Sequence, residues 1–151
     1  MDIQEMRDKL VGTWTLVSAR TTRSTGERND APYGTHPSGF ITYTPEGRMS
    51  AIVGFDGRSP LSTDEWYRAP AGERAEAFST FLAYAGSYSV MPDRVIHHVD
   101  VASIQNWVNT DLVRMVKYAG ETIILSTLPE GTAGNTPIYE LTWRRIANGS
   151  H

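Results

Sequence analysis

Two adjacent histidines, His97 and His98, are the side chains in this sequence best suited to moving a proton near neutral pH. They lie in Val95-Ile96-His97-His98-Val99-Asp100-Val101, where the odd positions are apolar apart from His97. Alternation of this kind marks a strand with one buried face, so His97 turns toward a core or cavity and His98 toward solvent. An inward His97 is either a buried histidine hydrogen-bonded to a neighbouring strand, or a polar anchor or general acid/base in an apolar cavity. The second role calls for a pKa close to neutrality. If the parity runs the other way, His98 takes that role with Asp100 beside it as an orienting carboxylate.

Arg114 presents the same kind of choice. It shares a strand face with Leu112, Val116 and Tyr118, and a charge on an apolar face needs a partner. That partner is either an acidic side chain of a neighbouring strand or the carboxylate or enolate of a ligand. Tyr43, Met49, Tyr88 and Trp107 are the candidates to line a cavity together with His97 and Arg114. An apolar pocket with a few converging polar groups is what a small-molecule site requires.

Other chemistries find no support. Of the four histidines, His36 is in a loop, His151 is terminal, and His97 and His98 point to opposite faces of one strand, so a histidine metal site is not expected. There is no cysteine, which removes thiolate ligands, disulfides and cysteine nucleophiles together and fits a cytoplasmic location. No glycine pattern cradles a phosphate, and no G-x-S-x-G elbow occurs. No cofactor is therefore expected. A formal charge of −3, with no basic run beyond Arg144-Arg145, argues against a nucleic-acid partner. No apolar run approaches the roughly 20 residues of a membrane span, and Met1-Asp2-Ile3-Gln4-Glu5 lacks signal-peptide features.

The elements that must position these residues are mostly strands. Ile3, Met6 and Leu10 have helical spacing, and Gly12 ends that short helix. A strand then opens at Thr13, with Trp14 early in it, a position that suits a ring plugging the end of a closed sheet. Residues 21–38 are polar and turn-rich. Gly39–Thr44 and Arg48–Gly54 form a hairpin around Pro45-Glu46-Gly47, with Ile41, Tyr43, Met49, Ala51 and Val53 on one face. Ser62 and Glu65 have capping-box spacing, and a helical stretch, broken at Pro70-Ala71-Gly72, runs to about Tyr84. Its stripe of Ala75, Phe78, Leu82 and Ala85 is expected to cover the open mouth of a barrel. Four further strands follow Gly86–Met91, at Arg94–Ser103, Thr110–Tyr118, Thr122–Leu128 and Ile138–Ile146.

The pattern is mainly β: a single antiparallel up-and-down barrel of about eight to ten strands, with a short N-terminal helix and a helical insertion near residues 62–84. The barrel occupies residues 1–147, and Asn148-Gly149-Ser150-His151 reads as a cloning linker entering a truncated His tag.

Gly12-Thr13-Trp14 after a short helix resembles the G-x-W strand of lipocalin and calycin barrels. More narrowly, the chain resembles the lipocalin-like domain family of small bacterial and fungal proteins. The likeness is carried by His36-Pro37-Ser38-Gly39, Tyr43-Thr44-Pro45-Glu46-Gly47-Arg48-Met49-Ser50-Ala51, Tyr88, His97-His98-Val99, and Asn106-Trp107 followed by Arg114. The resemblance implies that Trp14 plugs the closed end and that an arginine late in the last strand, Arg145 by parity, packs over it. It also implies a cavity at the opposite end, and some members are encoded beside natural-product pathways.

The expected function is binding of a small apolar or aromatic metabolite in the barrel. One alternative is a cofactor-free cyclase, isomerase or dehydratase acting on a polyketide-like intermediate, with His97 as acid/base and Arg114 as anion stabiliser. Another is an interaction domain with a filled core. The partner expected is a small hydrophobic or aromatic molecule, and a homodimer is left open.

Overall fold

The computed structural model describes residues 1–128 and 136–147. The four terminal residues read as a tag remnant lie outside them. Asp2 caps the first helix, α1 (Ile3–Leu10), by accepting from the Glu5 amide at 2.8 Å, and α1 buries Met6 and Leu10. There follow strands β1 (Gly12–Thr22), β2 (Arg28–Asn29), β3 (Ser38–Tyr43) and β4 (Arg48–Gly54), then helix α2 (Ala71–Ser79). Strands β5 (Phe81–Met91), β6 (Arg94–Ala102), β7 (Asp111–Ala119), β8 (Thr122–Ser126) and β9 (Ile138–Arg145) complete the chain.

From β3 onward each strand pairs antiparallel with the next, and β9 returns to β1 from Trp14↔Arg145 to Thr22↔Ile138. With β1 also paired to β3, eight strands close into a barrel, and the two-residue β2 extends one side of β1. Closure removes the unpaired edges an open sheet would expose. The mainly β barrel expected from the strand pattern is the fold observed.

The closed end is built around Trp14. Its Nε1 donates to the Leu10 carbonyl at 2.9 Å, tying the ring to the last turn of α1. The Arg145 guanidinium lies 4.2 Å from the Trp14 ring centre and donates to the Val11 and Lys9 carbonyls. Gly12 sits at φ 129°, and a Cβ there would come within 2.7 Å of Arg145 Nη1. The positive φ requires glycine at this point, and the missing Cβ leaves room for the Arg145 guanidinium.

The helical insertion is shorter than its periodicity predicts. Ser62 and Glu65 form no capping box: the Ser62 amide and hydroxyl both donate to the Glu73 carboxylate at 2.8 Å, and only a 3-10 turn, Trp66–Arg68, precedes α2. The helix ends at Ser79, and Leu82, Tyr84 and Ala85 belong to β5. Pairing decides this. Phe81 to Ser87 hydrogen-bond along the whole of β4, from Gly54 to Arg48, satisfying backbone groups that a longer helix would strand.

The β5–β6 pair carries a bulge, with Ala85 opposite Val101 and Gly86 opposite Val99. Asp100 is the extra residue, and its carboxylate meets Arg48 at 2.8 Å on the outer surface. The bulge inverts the parity of β6, so Val101 is 61% exposed although strict alternation turns it inward. A Cβ on Gly86 would lie 1.8 Å from the His98 carbonyl oxygen. The bulge therefore depends on glycine at that position.

Candidate ligand-binding site

At the end of the barrel opposite Trp14 lies a cavity of about 570 Å³. Ile41, the register partner of Trp14, and Trp143 stand nearest the closed end. Ala51, Val53, Leu82, Leu112 and Leu141 form apolar walls from four different strands. Tyr33, Phe55, Trp107 and Leu128, just beyond the strand ends, surround the mouth. The space is that of a drug-sized organic molecule, and its lining is mostly apolar and aromatic.

His97 is fully buried among these walls. Its Nε2 is 2.7 Å from the Tyr43 hydroxyl and its Nδ1 is 2.8 Å from the Tyr84 hydroxyl. Both ring nitrogens thus end on phenols. Desolvation first, then the positive charges of Arg114 and His98, push the His97 pKa down to about 3. The near-neutral value expected for an acid/base histidine is not found, because a barrel interior disfavours the imidazolium and neither partner is a carboxylate. Burial also raises the Tyr43 and Tyr84 pKa values, against the opposing pull of the Arg114 charge. The whole relay is neutral near pH 7.

His98 faces outward, with Nε2 at 2.7 Å from the Ser89 hydroxyl and Nδ1 at 2.7 Å from the Asp111 carboxylate. Its orienting carboxylate is Asp111, across the β6–β7 pair, and not Asp100.

Arg114 lines the cavity, and its Nη1 donates to the adjacent Val113 carbonyl at 3.0 Å. No ion pair among the described residues includes it. Its charge bears on Tyr33, Tyr43, Tyr84 and His97 alike, which puts the guanidinium in their midst. Trp143, 2% exposed, contributes the buried side-chain donor, Nε1, that lacks a hydrogen-bond partner among the described residues.

The other residues singled out by sequence divide. Trp107 lines the cavity and stands edge-on to Tyr84, with ring centres 5.7 Å apart. Tyr43 reaches the site only through His97. Met49 and Tyr88 are buried but are not cavity walls. They sit toward the closed end, where the Tyr88 hydroxyl donates to the Thr44 carbonyl at 2.7 Å and Arg7 lies over its ring. The inward face of the β3–β4 hairpin extends below the cavity floor, so facing inward does not by itself mean facing the cavity.

No residue from Ser62 to Ser79 lines the cavity, and Phe78 is 49% exposed, so α2 does not cover the mouth as expected. It leans on β5 from outside. Sequence reasoning missed Tyr33, Tyr84, Tyr139 and Trp143. For Tyr84 a signal existed: Leu82, Tyr84, Tyr88 and Val90 share one strand parity. Tyr33 lies in a loop without periodicity, so nothing local pointed to it.

The profile of the lipocalin-like domain family matches residues 11–146. A curated relative, the 4'-hydroxy-3'-methoxypropiophenone carrier protein ppsC of Aspergillus oryzae, is 34% identical over 108 residues, which span 65% of this chain and 96% of the relative.

Proposed function

The chain belongs to the lipocalin-like domain family, and from that premise we propose that it binds one small aromatic molecule of aryl-ketone type in its barrel. The observation that carries the reading is the cavity of about 570 Å³ with apolar walls and a few polar groups at His97, Tyr84 and Arg114. A cavity of this size, left unfilled by side chains, costs packing energy that a ligand of matching shape restores. The name of the Aspergillus relative supports an aryl ketone, a flat ring with a carbonyl acceptor, as the ligand class. Carriage or sequestration follows naturally from a site closed at one end and open at the other.

The cyclase or isomerase reading has one observation in its favour, the hydrogen bond between Tyr84 and His97 at 2.8 Å. In it Tyr84, backed by His97, would meet the substrate.

Calorimetric titration with para-hydroxyacetophenone tests the binding reading. One equivalent is expected to bind with a Kd on the order of 10 µM, fitting the affinity available to a ligand of this size. No saturable heat, with no small molecule carried through purification by native mass spectrometry, would overturn it.

A further inference from the structure

We propose that the cavity selects ligands whose anchoring group is an anionic oxygen, a phenolate or carboxylate on the aromatic ring, held by Arg114 and by a Tyr84 hydroxyl that the His97 relay forces to donate. The inference deepens the aromatic-ligand reading above and rests on it.

The direction of the relay follows from burial. Tyr43 is 1% exposed, does not line the cavity, and has His97 Nε2 as its hydroxyl partner among the described residues, at 2.7 Å. If Tyr43 accepted from His97, its own proton would be stranded in the core, so Tyr43 donates. A neutral imidazole that accepts at Nε2 carries its proton at Nδ1. That proton goes to the Tyr84 oxygen 2.8 Å away, leaving the Tyr84 hydroxyl proton for the cavity that Tyr84 lines. Tyr43 and His97 are positioning residues, and Tyr84 is the group that meets the ligand.

Charge points the same way. The ionisable groups around the Arg114 guanidinium are Tyr33, Tyr43, Tyr84 and His97, which are neutral near pH 7. Asp111, at the cavity wall, commits its carboxylate to His98 at 2.7 Å. A partly buried cation without a counter-ion among the described residues favours the charged form of an acidic ligand over its neutral form.

The test uses para-nitrophenol, whose phenolate absorbs visible light and whose phenol does not, with para-nitroanisole as the neutral isostere. The bound probe is expected to ionise at least one pH unit below the free probe, its proton passing to solvent. That shift is a tenfold or greater preference for the phenolate. Para-nitroanisole should bind measurably but at least tenfold more weakly than the phenolate. Arg114→Gln should return the midpoint to that of the free probe. Tyr43→Phe, which frees Tyr84 to donate to His97, should move the midpoint part of the way back although Tyr43 touches no ligand. A merely structural role for Tyr43 would instead weaken both probes equally.

An unshifted midpoint in the wild-type protein, or a shift that survives Arg114→Gln, overturns the inference. In either case para-nitroanisole binding would leave the aromatic-ligand reading standing. Failure of both probes to bind would overturn both.

Discussion

The barrel holds His97 neutral, and that neutrality is linked to stability in acid. The imidazole pKa falls from 6.5 to about 3 on folding, so between those values the unfolded chain binds a proton that the folded chain does not. Stability is therefore fully present above pH 6.5 and declines as pH falls toward 3, by about 1.4 kcal/mol per pH unit for this one proton. Urea unfolding between pH 6.5 and 4.5 should show this slope, and His97→Gln should be less steep by one proton. An unchanged slope would mean that His97 is charged in the fold. Alternation in β6 made the inward turn of His97 legible. Its partner Tyr84 was not, because Ala-rich residues 75–85 fit a helical period as well as a strand period, and strand pairing decides between them.

Among the elements, the bulge on β5–β6 falls between the ladder positions of Tyr84 and His97, and Gly86 permits it. Gly86→Ala would force a methyl group into the His98 carbonyl, where backbone must move. An expected loss of about 2–3 kcal/mol, read by urea unfolding, should come with weaker probe binding as Tyr84 shifts. The plug at the other end should separate these effects. Arg145→Gln removes the guanidinium from the Trp14 ring and from two carbonyls, for an expected loss of about 2–3 kcal/mol with cavity affinity unchanged. The strand order and hairpins were legible because alternation and turn residues are local signals. The bulge was not, since it is a relation between two strands. The position of α2 was not legible either, because an apolar stripe says that a helix leans on something but not on which side.

Taken as a whole, the molecule is a barrel tied shut at one end by Trp14, α1 and Arg145 and hollow at the other. This separation lets the hollow end vary in polarity without cost to closure, and it places Arg114 and the relay where a ligand can reach them. The existence of a barrel could be read from strand spacing; its cavity volume could not, because volume depends on how side chains from eight strands meet. Ala51, 7% exposed on the cavity wall, is the small residue at which that volume can be removed. Calorimetric titration of the wild-type protein and Ala51→Phe with para-hydroxyacetophenone, with thermal unfolding to show that the variant folds, is the most direct test that the cavity is a binding site. One saturable site is expected in the wild-type protein, with at least a tenfold loss of affinity in a folded Ala51→Phe. Equal binding by both proteins, or binding by neither, would contradict it.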